Sequence, residues 1–532
     1  MTDRPYLHRA PPKGPSPASA ESVVMPAPQP VPSPPIQPVP SPPSQATPPA
    51  PDSAVLSPSP PLQTPEAHNL PPLRFWHWFC LVAVAVVALA LRLRDPLSTT
   101  IIGAEDPYLH MERTWDLLQD RTVQGYPPGF MILLLPLAMM GPEPFAWSAK
   151  FLPPLFGVGL VLGMFFLCRR SGHPSGALAA SLLVALMPEA IRRTNLLFPT
   201  ALDLALLPLL LVFVLRASDG YAKSWIGIVG LGGLFLMVHP WALALAIPPL
   251  ILFWLVLLLR GHSKWRVPAG GGLVAGAATF VLLLRQGVLE FLGLGHAAAR
   301  LGELVARPWS VVPFPQFVDL PAMLTFPALF LAALGAVLAV RRPSRFGLLA
   351  LCWTVVLLPL VAVDWFGVWY LPHRAVAYLA IGVAMLAALP ISMTIRTLAE
   401  ARPASQVPAT LGALALVLVL AVPASANMDG WYRLYDEDDY AAWDDLAARG
   451  TDHVIAGSWQ ARAGYRAMTG GDAEFNPDFF NSSVVREFEL HEHPGLVVLV
   501  DRYAIENRVP TEFLADWERI GTWGNTSAYT RP

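Results

Sequence analysis

GAEDPYLHMERTWDLLQD, residues 103–120, is the stretch from which the rest of the chain can be read. Asp106 followed by Pro107 opens a helix: proline suits the first turn, and the acid complements the helix dipole. Leu109, Trp115, Leu117 and Leu118 then give that helix an apolar face, as on a membrane surface. Two readings of Asp106 stand side by side. In one it is an N-terminal helix residue and no more. In the other it is a carboxylate held where a lipid headgroup arrives.

What surrounds this helix is apolar. Of the 532 residues 54% are hydrophobic and 14% charged, against about 25% charged in average soluble chains. Mean hydropathy is +0.47. The sequence therefore predicts a polytopic α-helical membrane protein. A net charge of -2 excludes a strongly basic nucleic-acid binder. Cys80, Cys168 and Cys352 all lie in apolar runs, with neither a disulfide framework nor a metal-ligand spacing among them.

Three regions follow. Residues 1–72 hold 24 of the 57 prolines and almost no aromatics, so they read as a disordered, polyproline-like cytoplasmic tail rather than a signal peptide. Residues 73–424 are apolar runs separated by short polar loops. Residues 425–532 read as one small α/β domain. HVIAGSW and GLVVLVDRY have the look of buried strands there, and DYAAWDDLAARG that of a helix ending at Gly450.

Apolar runs near 73–91, 147–168, 174–188, 200–216, 225–239, 241–260, 268–286, 320–340, 347–364, 373–393 and 408–424 make about eleven spans. The loops CRRSGH, RASDGYAKSW, RGHSKWR, RRPSR and RTLAEARP are basic, which places them on the cytoplasmic side. They share a side only if 127–140, too short for a span, is an interfacial or re-entrant helix. The N-terminus is then inside and the C-terminal domain outside. On the outer side fall Glu105, Asp106, Glu112, Asp116, Arg192, Arg193, Glu290, Glu303, His373 and Arg374. Asp203 sits just inside the outer end of a span, where an acid is expensive unless it has a partner or a function.

Four stretches resemble the catalytic subunits of oligosaccharyltransferases, archaeal ones especially, within the C-type membrane glycosyltransferase fold. DPYLHMER (106–113) resembles the first-loop motif with its catalytic aspartate. YPPGFMILLLPL (126–137) resembles the segment after the surface helix. MPEAIRRTNLLFPTALDLALL (187–207) resembles the second outer loop. WYLPHRAVAYLAIGVAMLAAL (369–389) resembles the segment whose arginine holds the donor pyrophosphate. The resemblance implies Asp106 as catalytic carboxylate and Arg374 on the donor phosphate, with His373 and Arg193 as further phosphate contacts. A Mg²⁺ or Mn²⁺ would take Asp106, Asp203 and Glu303 as oxygen ligands. Trp459 and Gln460 would lie where the family reads the acceptor.

The resemblance further implies a polyprenyl or dolichyl (pyro)phosphate-linked glycan as donor and a protein as acceptor. The setting would be a prokaryotic plasma membrane, with membrane lipids around a monomer. Two departures stand out. Thr200, Ala201 and Leu202 occupy the place of an Asp-Asn-Glu triplet, with Asp203 next. The family's WWDYG is replaced by a stretch that keeps only Trp459. They favour two alternatives: a single-sugar transferase using a lipid monophosphate sugar, or a non-catalytic binder or transporter of lipid-linked glycans.

Overall fold

The computed structural model describes residues 72–98, 102, 106–119, 128–260, 272, 276, 319–361, 371–426, 437–451, 453–506 and 509–531. Most of the Pro-rich tail, Glu105, Glu290, Glu303 and nearly all of the expected span at 268–286 lie outside the described residues. So do the side chains of Asp106, His373 and Trp459.

Helices dominate. They are α1 (Phe75–Ser98), α2 (Asp106–Leu118), α3 (Gly129–Ala138), α4 (Pro142–Cys168), α5 (Pro174–Leu186), α6 (Pro188–Arg193), α7 (Pro199–Ser218), α8 (Ser224–Val238) and α9 (Pro240–Leu259). After the gap come α10 (Leu320–Leu324), α11 (Phe326–Arg341), α12 (Arg345–Leu357), α13 (Leu371–Ala401) and α14 (Gln406–Ala426). Proline stands in the first turn of α4 to α7 and of α9 to α11. There its fixed φ costs nothing and the N–H it lacks would be unpaired anyway.

Among the described residues six helical segments are long and apolar enough to cross a membrane. The protein is a polytopic helical membrane protein. Four further expected spans coincide with shorter helices, α5, α8, α11 and α12. At about 1.5 Å per residue, the 13 residues of α5 rise only about 20 Å. All thirteen are buried, so protein rather than lipid surrounds this helix. Irregular backbone at its ends is tolerable for that reason. By contrast α14 leaves Leu411, Leu416, Val419 and Leu420 exposed, an apolar face of the kind that lipid covers.

The bundle has two ends. At one, Asp219, just past α7, binds Arg345 through Oδ1 at 2.7 Å and Arg170 through Oδ2. His173 meets Gln406 at 3.1 Å nearby in the same layer of loops. Four of the five basic loops thus meet at this end, and RGHSKWR lies outside the described residues apart from Arg260. The other end carries α2, α3, α6 and the start of α7.

The final region is an α/β unit: α15 (Glu437–Ala448), β1 (Val454–Ala456), α16 (Trp459–Thr469), β2 (Ala473–Glu474), α17 (Pro477–Asn481), α18 (Ser483–Glu492), β3 (Val497–Val500), α19 (Arg502–Glu506), β4 (Glu518–Trp523) and β5 (Thr526–Thr530). The strand order is β2-β1-β3-β5-β4, parallel from β2 to β3 and antiparallel beyond. β1 and β3 are the two strands expected from sequence, and both are fully buried. The expected helix is α15, with Gly450 beyond it at φ 69, a left-handed position open to glycine. Sequence reading missed α16 and the β4–β5 hairpin, whose strands are half-exposed and lack a long apolar run.

Candidate functional site

Helix α7 begins after Phe198, whose extended backbone turns the chain into Pro199. That geometry drops Asp203 one turn into the bundle, fully buried. Its Oδ2 is shared by the His239 Nδ1 and by the Tyr378 hydroxyl, which donates at 3.2 Å. Its Oδ1 has no hydrogen-bond partner among the described residues. His239 occupies the break between α8 and α9, where Pro240 starts the next helix. Tyr378 is fixed through its backbone, whose carbonyl accepts from Trp353 Nε1 at 2.8 Å.

Arg374 lies one turn before Tyr378 on the same face of α13. Its guanidinium sits 5.1 Å from the ring centre of Trp241, a cation–π placement suited to a fork that can also grip an anion. The Arg374 charge also reaches Asp203 and His110. His110 is on α2, one turn after Asp106, and is 95% buried, edge-on to Phe130 at 5.3 Å. Burial, with the charges of Arg113, His239 and Arg374, lowers its pKa to about 3. It stays neutral at physiological pH. The first half of α2, the Asp203 pair and Arg374 therefore belong to one electrostatic neighbourhood.

Arg92 completes this end of the bundle. It is fully buried on α1; its Nε donates to Thr194 Oγ1 at 2.6 Å, and its Nη1 to the Ala88 and Ala185 carbonyls at 3.1 and 3.3 Å. Gly157 makes room for it: a Cβ there would fall 2.1 Å from Arg92 Nε. Arg193, expected to contact phosphate, is engaged by Glu189 at 2.8 Å, and Arg192 approaches the same acid at 3.6 Å.

The C-terminal domain is clamped onto α2. Glu112 accepts from Arg466 at 2.8 Å and also from Arg462, and Asp116 accepts from Arg466. Trp115 Nε1 donates to the Ala467 carbonyl at 3.1 Å. Tyr108 meets Trp443 edge-on at 5.6 Å, and its hydroxyl donates to the Ile102 carbonyl at 2.9 Å. Glu112 and Asp116 are four apart on α2, as Arg462 and Arg466 are on α16, so two charged faces meet. Trp459 and Gln460 start that same α16. Beside the clamp opens a cleft of about 770 Å³, lined among others by Ile102, Trp147, Lys150, Phe151 and Tyr440.

Of the expected site residues, Asp203 and Arg374 are brought together. Position 106 is one helical turn from His110 in the same neighbourhood, and Gln460 rides on the helix that clamps α2. Glu303 lies outside the described residues. Not foreseen were His239, Tyr378, Arg462 and Arg466. His239 had a visible signal: a polar residue before Pro240 between two apolar runs. An open Asp203 oxygen at this end fits a divalent cation, which prefers oxygen ligands.

By sequence, no family model matches the chain and no curated protein is similar to it. Solved structures are similar. The archaeal oligosaccharyltransferase AglB from Archaeoglobus fulgidus, in complex with an inhibitory peptide and a dolichol-phosphate, aligns with a TM-score of 0.56 at 14% identity. The alignment covers 86% of this chain and 74% of that one. The Archaeoglobus fulgidus oligosaccharyltransferase in complex with Zn and sulfate aligns at 0.54 and 16% identity, covering 85% and 73%. ArnT from Cupriavidus metallidurans bound to undecaprenyl phosphate aligns at 0.53 and 14% identity, covering 86% and 98%. The chain has the fold of these membrane glycosyltransferases.

Proposed function

We propose that the protein transfers a glycan from a polyprenyl or dolichyl (pyro)phosphate to an acceptor on the outer face of a prokaryotic plasma membrane. The observation that carries this reading is the convergence of Arg374, the Asp203–His239–Tyr378 group and the first half of α2 at one end of the bundle. The shared fold with proteins solved on dolichol-phosphate and undecaprenyl phosphate supports it. About eleven spans, a cytoplasmic N-terminus, an outer C-terminal domain and a monomeric state go with this reading.

Asp106 engages or deprotonates the acceptor, whose oxygen or nitrogen then attacks the anomeric carbon. The phosphate leaves with the bond electrons. Arg374 holds it bidentately as charge develops, with His373 and Arg193 alongside. Asp106, Asp203 and Glu303 would hold a Mg²⁺ or Mn²⁺, which supplies Lewis-acid stabilisation of the leaving phosphate. His239 and Tyr378 fix the Asp203 carboxylate so that Oδ1 stays available. Trp459 and Gln460 face the acceptor, a protein in the first reading.

A second reading rests on ArnT, which this chain matches over 98% of that chain's length. Here the donor is a single sugar on a lipid monophosphate, and Glu105 with Asp106 forms the acidic pair. Purified protein, native lipid extract and a sequon peptide distinguish the readings, with and without EDTA. Glycopeptide lost with EDTA and in Asp106→Asn supports the first. Transfer of one sugar, to lipid or protein, supports the second. Tight binding of lipid-linked sugar with no transfer to any acceptor overturns both in favour of a non-catalytic binder.

A further inference from the structure

The far side of the C-terminal domain carries a group of side chains that glycosyl transfer does not use. His453 precedes β1, and its backbone carbonyl accepts from Val497 N at 3.1 Å. Its side chain is 93% buried. The Nδ1–H donates to Asp472 at 2.8 Å. In the neutral ring Nε2 then carries the lone pair, and it is buried with no hydrogen-bond partner among the described residues. A buried acceptor left open in this way costs free energy unless something binds it.

Two further donors stand next to it. Glu489 on α18 and His493 just beyond the helix are four residues apart, hence on one face. The His493 N–H donates to the Glu489 carbonyl at 2.8 Å, which holds that turn closed. Glu489 Oε1 accepts from Asn476 Nδ2 at 3.2 Å, so the carboxylate is itself oriented. One donor atom from each of His453, Glu489 and His493 lies within 4.8 Å of the others. The rings of His453 and His493 are parallel, with centres 4.0 Å apart.

We infer that His453, Glu489 and His493 form a Zn²⁺ site, with Asp472 as the residue that orients His453. Two imidazoles and a carboxylate suit this ion far better than Mg²⁺ or Ca²⁺, which seek oxygen. The Asp472–His453 pair is the carboxylate–histidine arrangement that fixes a zinc-binding tautomer. Bonds of about 2.0–2.1 Å set tetrahedral ligands roughly 3.4 Å apart. Binding draws the three donor atoms together and turns the His493 ring out of its stack on His453; His493 is half-exposed, whereas His453 is buried and held by Asp472. Three protein ligands leave one coordination position for water or another ligand. The ion ties α18 to the start of β1, and it shares no residue with Asp106, Asp203 and Glu303.

The test uses full-length protein without a histidine tag, stripped of metal and titrated with Zn²⁺ alone against a chromophoric zinc chelator. One Zn²⁺ per chain is expected to resist millimolar Mg²⁺ and to raise Tm. His493→Ala and Glu489→Gln each weaken binding at least about tenfold, and Asp472→Asn weakens it about tenfold through His453. Asp203→Asn leaves Zn²⁺ affinity unchanged. His493→Gln, which keeps a polar side chain, repeats the loss with an unchanged metal-free Tm. Wild-type protein that binds no Zn²⁺ at about 10 μM, or a His493 variant that binds it as tightly as wild type, overturns the proposal.

Discussion

Helix α7 carries an aspartate at each end, and the two are treated oppositely. Asp219 faces two arginines, one on each oxygen, and its side chain is 14% exposed. Asp203 is fully buried; two partners share one oxygen while the other has none among the described residues. The first arrangement closes: both carboxylate oxygens are engaged, and the ion cluster joins three loops. The second keeps a buried hydrogen-bonding position in hand, as does Arg92, whose Nη2 has no hydrogen-bond partner among the described residues. Buried polar atoms left unpaired cost about 1–3 kcal/mol each. Their concentration at one end marks where binding can return that free energy.

The comparison can be broken in several ways. The largest effect is expected from Asp106→Asn, about a thousandfold loss of transfer measured as product per folded molecule, since it removes the acid–base group and keeps its shape. Next comes the clamp. Arg466→Met leaves Glu112 facing only Arg462, and stability by denaturant titration is expected to fall by about 3 kcal/mol. Proteolysis between the bundle and the C-terminal domain should rise with it. Asp203→Asn is expected to cost transfer about a hundredfold with Tm little changed. If transfer survives and stability collapses instead, the two ends of α7 do not differ in kind.

Acid sharpens the contrast further. His110 is held well below its unfolded value, so the unfolded chain binds more protons at any pH between about 3 and 6.5. The stability that neutral His110 confers is complete above pH 6.5 and is lost progressively as pH falls toward 3. Between pH 7 and pH 5 the loss is about 2 kcal/mol, and His110→Gln flattens this part of the curve. The smallest effect belongs to Asp219→Asn: about 1 kcal/mol of stability, because its pairs are partly solvated, with transfer per folded molecule unchanged.

The sequence made the bundle legible because its signals are additive over twenty residues. Ten of the eleven expected spans fall on helices. The lengths were less legible, because hydropathy does not distinguish a lipid-facing helix such as α14 from the short, protein-wrapped α5. In the site, Asp203 stood out as a charge in an apolar span, and Arg374 through the resemblance of 369–389 to the family's donor-binding segment. His239 and Tyr378 did not, since each becomes informative only once folding sets it against Asp203, 36 and 175 residues away. The clamp was hidden for the same reason. Glu112 and Asp116 read as one helix's polar face, and their counterparts lie about 350 residues downstream.

That clamp makes the two regions a matched pair rather than interchangeable modules. Four residues, Glu112 and Asp116 on one side and Arg462 and Arg466 on the other, act as a key and its lock. A chimaera that exchanges the C-terminal domain for another's must bring its own partner for α2, or bury Glu112 against nothing. Drift on one face is therefore constrained by the other, and compensating charge reversals across 112/116 and 462/466 are the route along which the pair can change together.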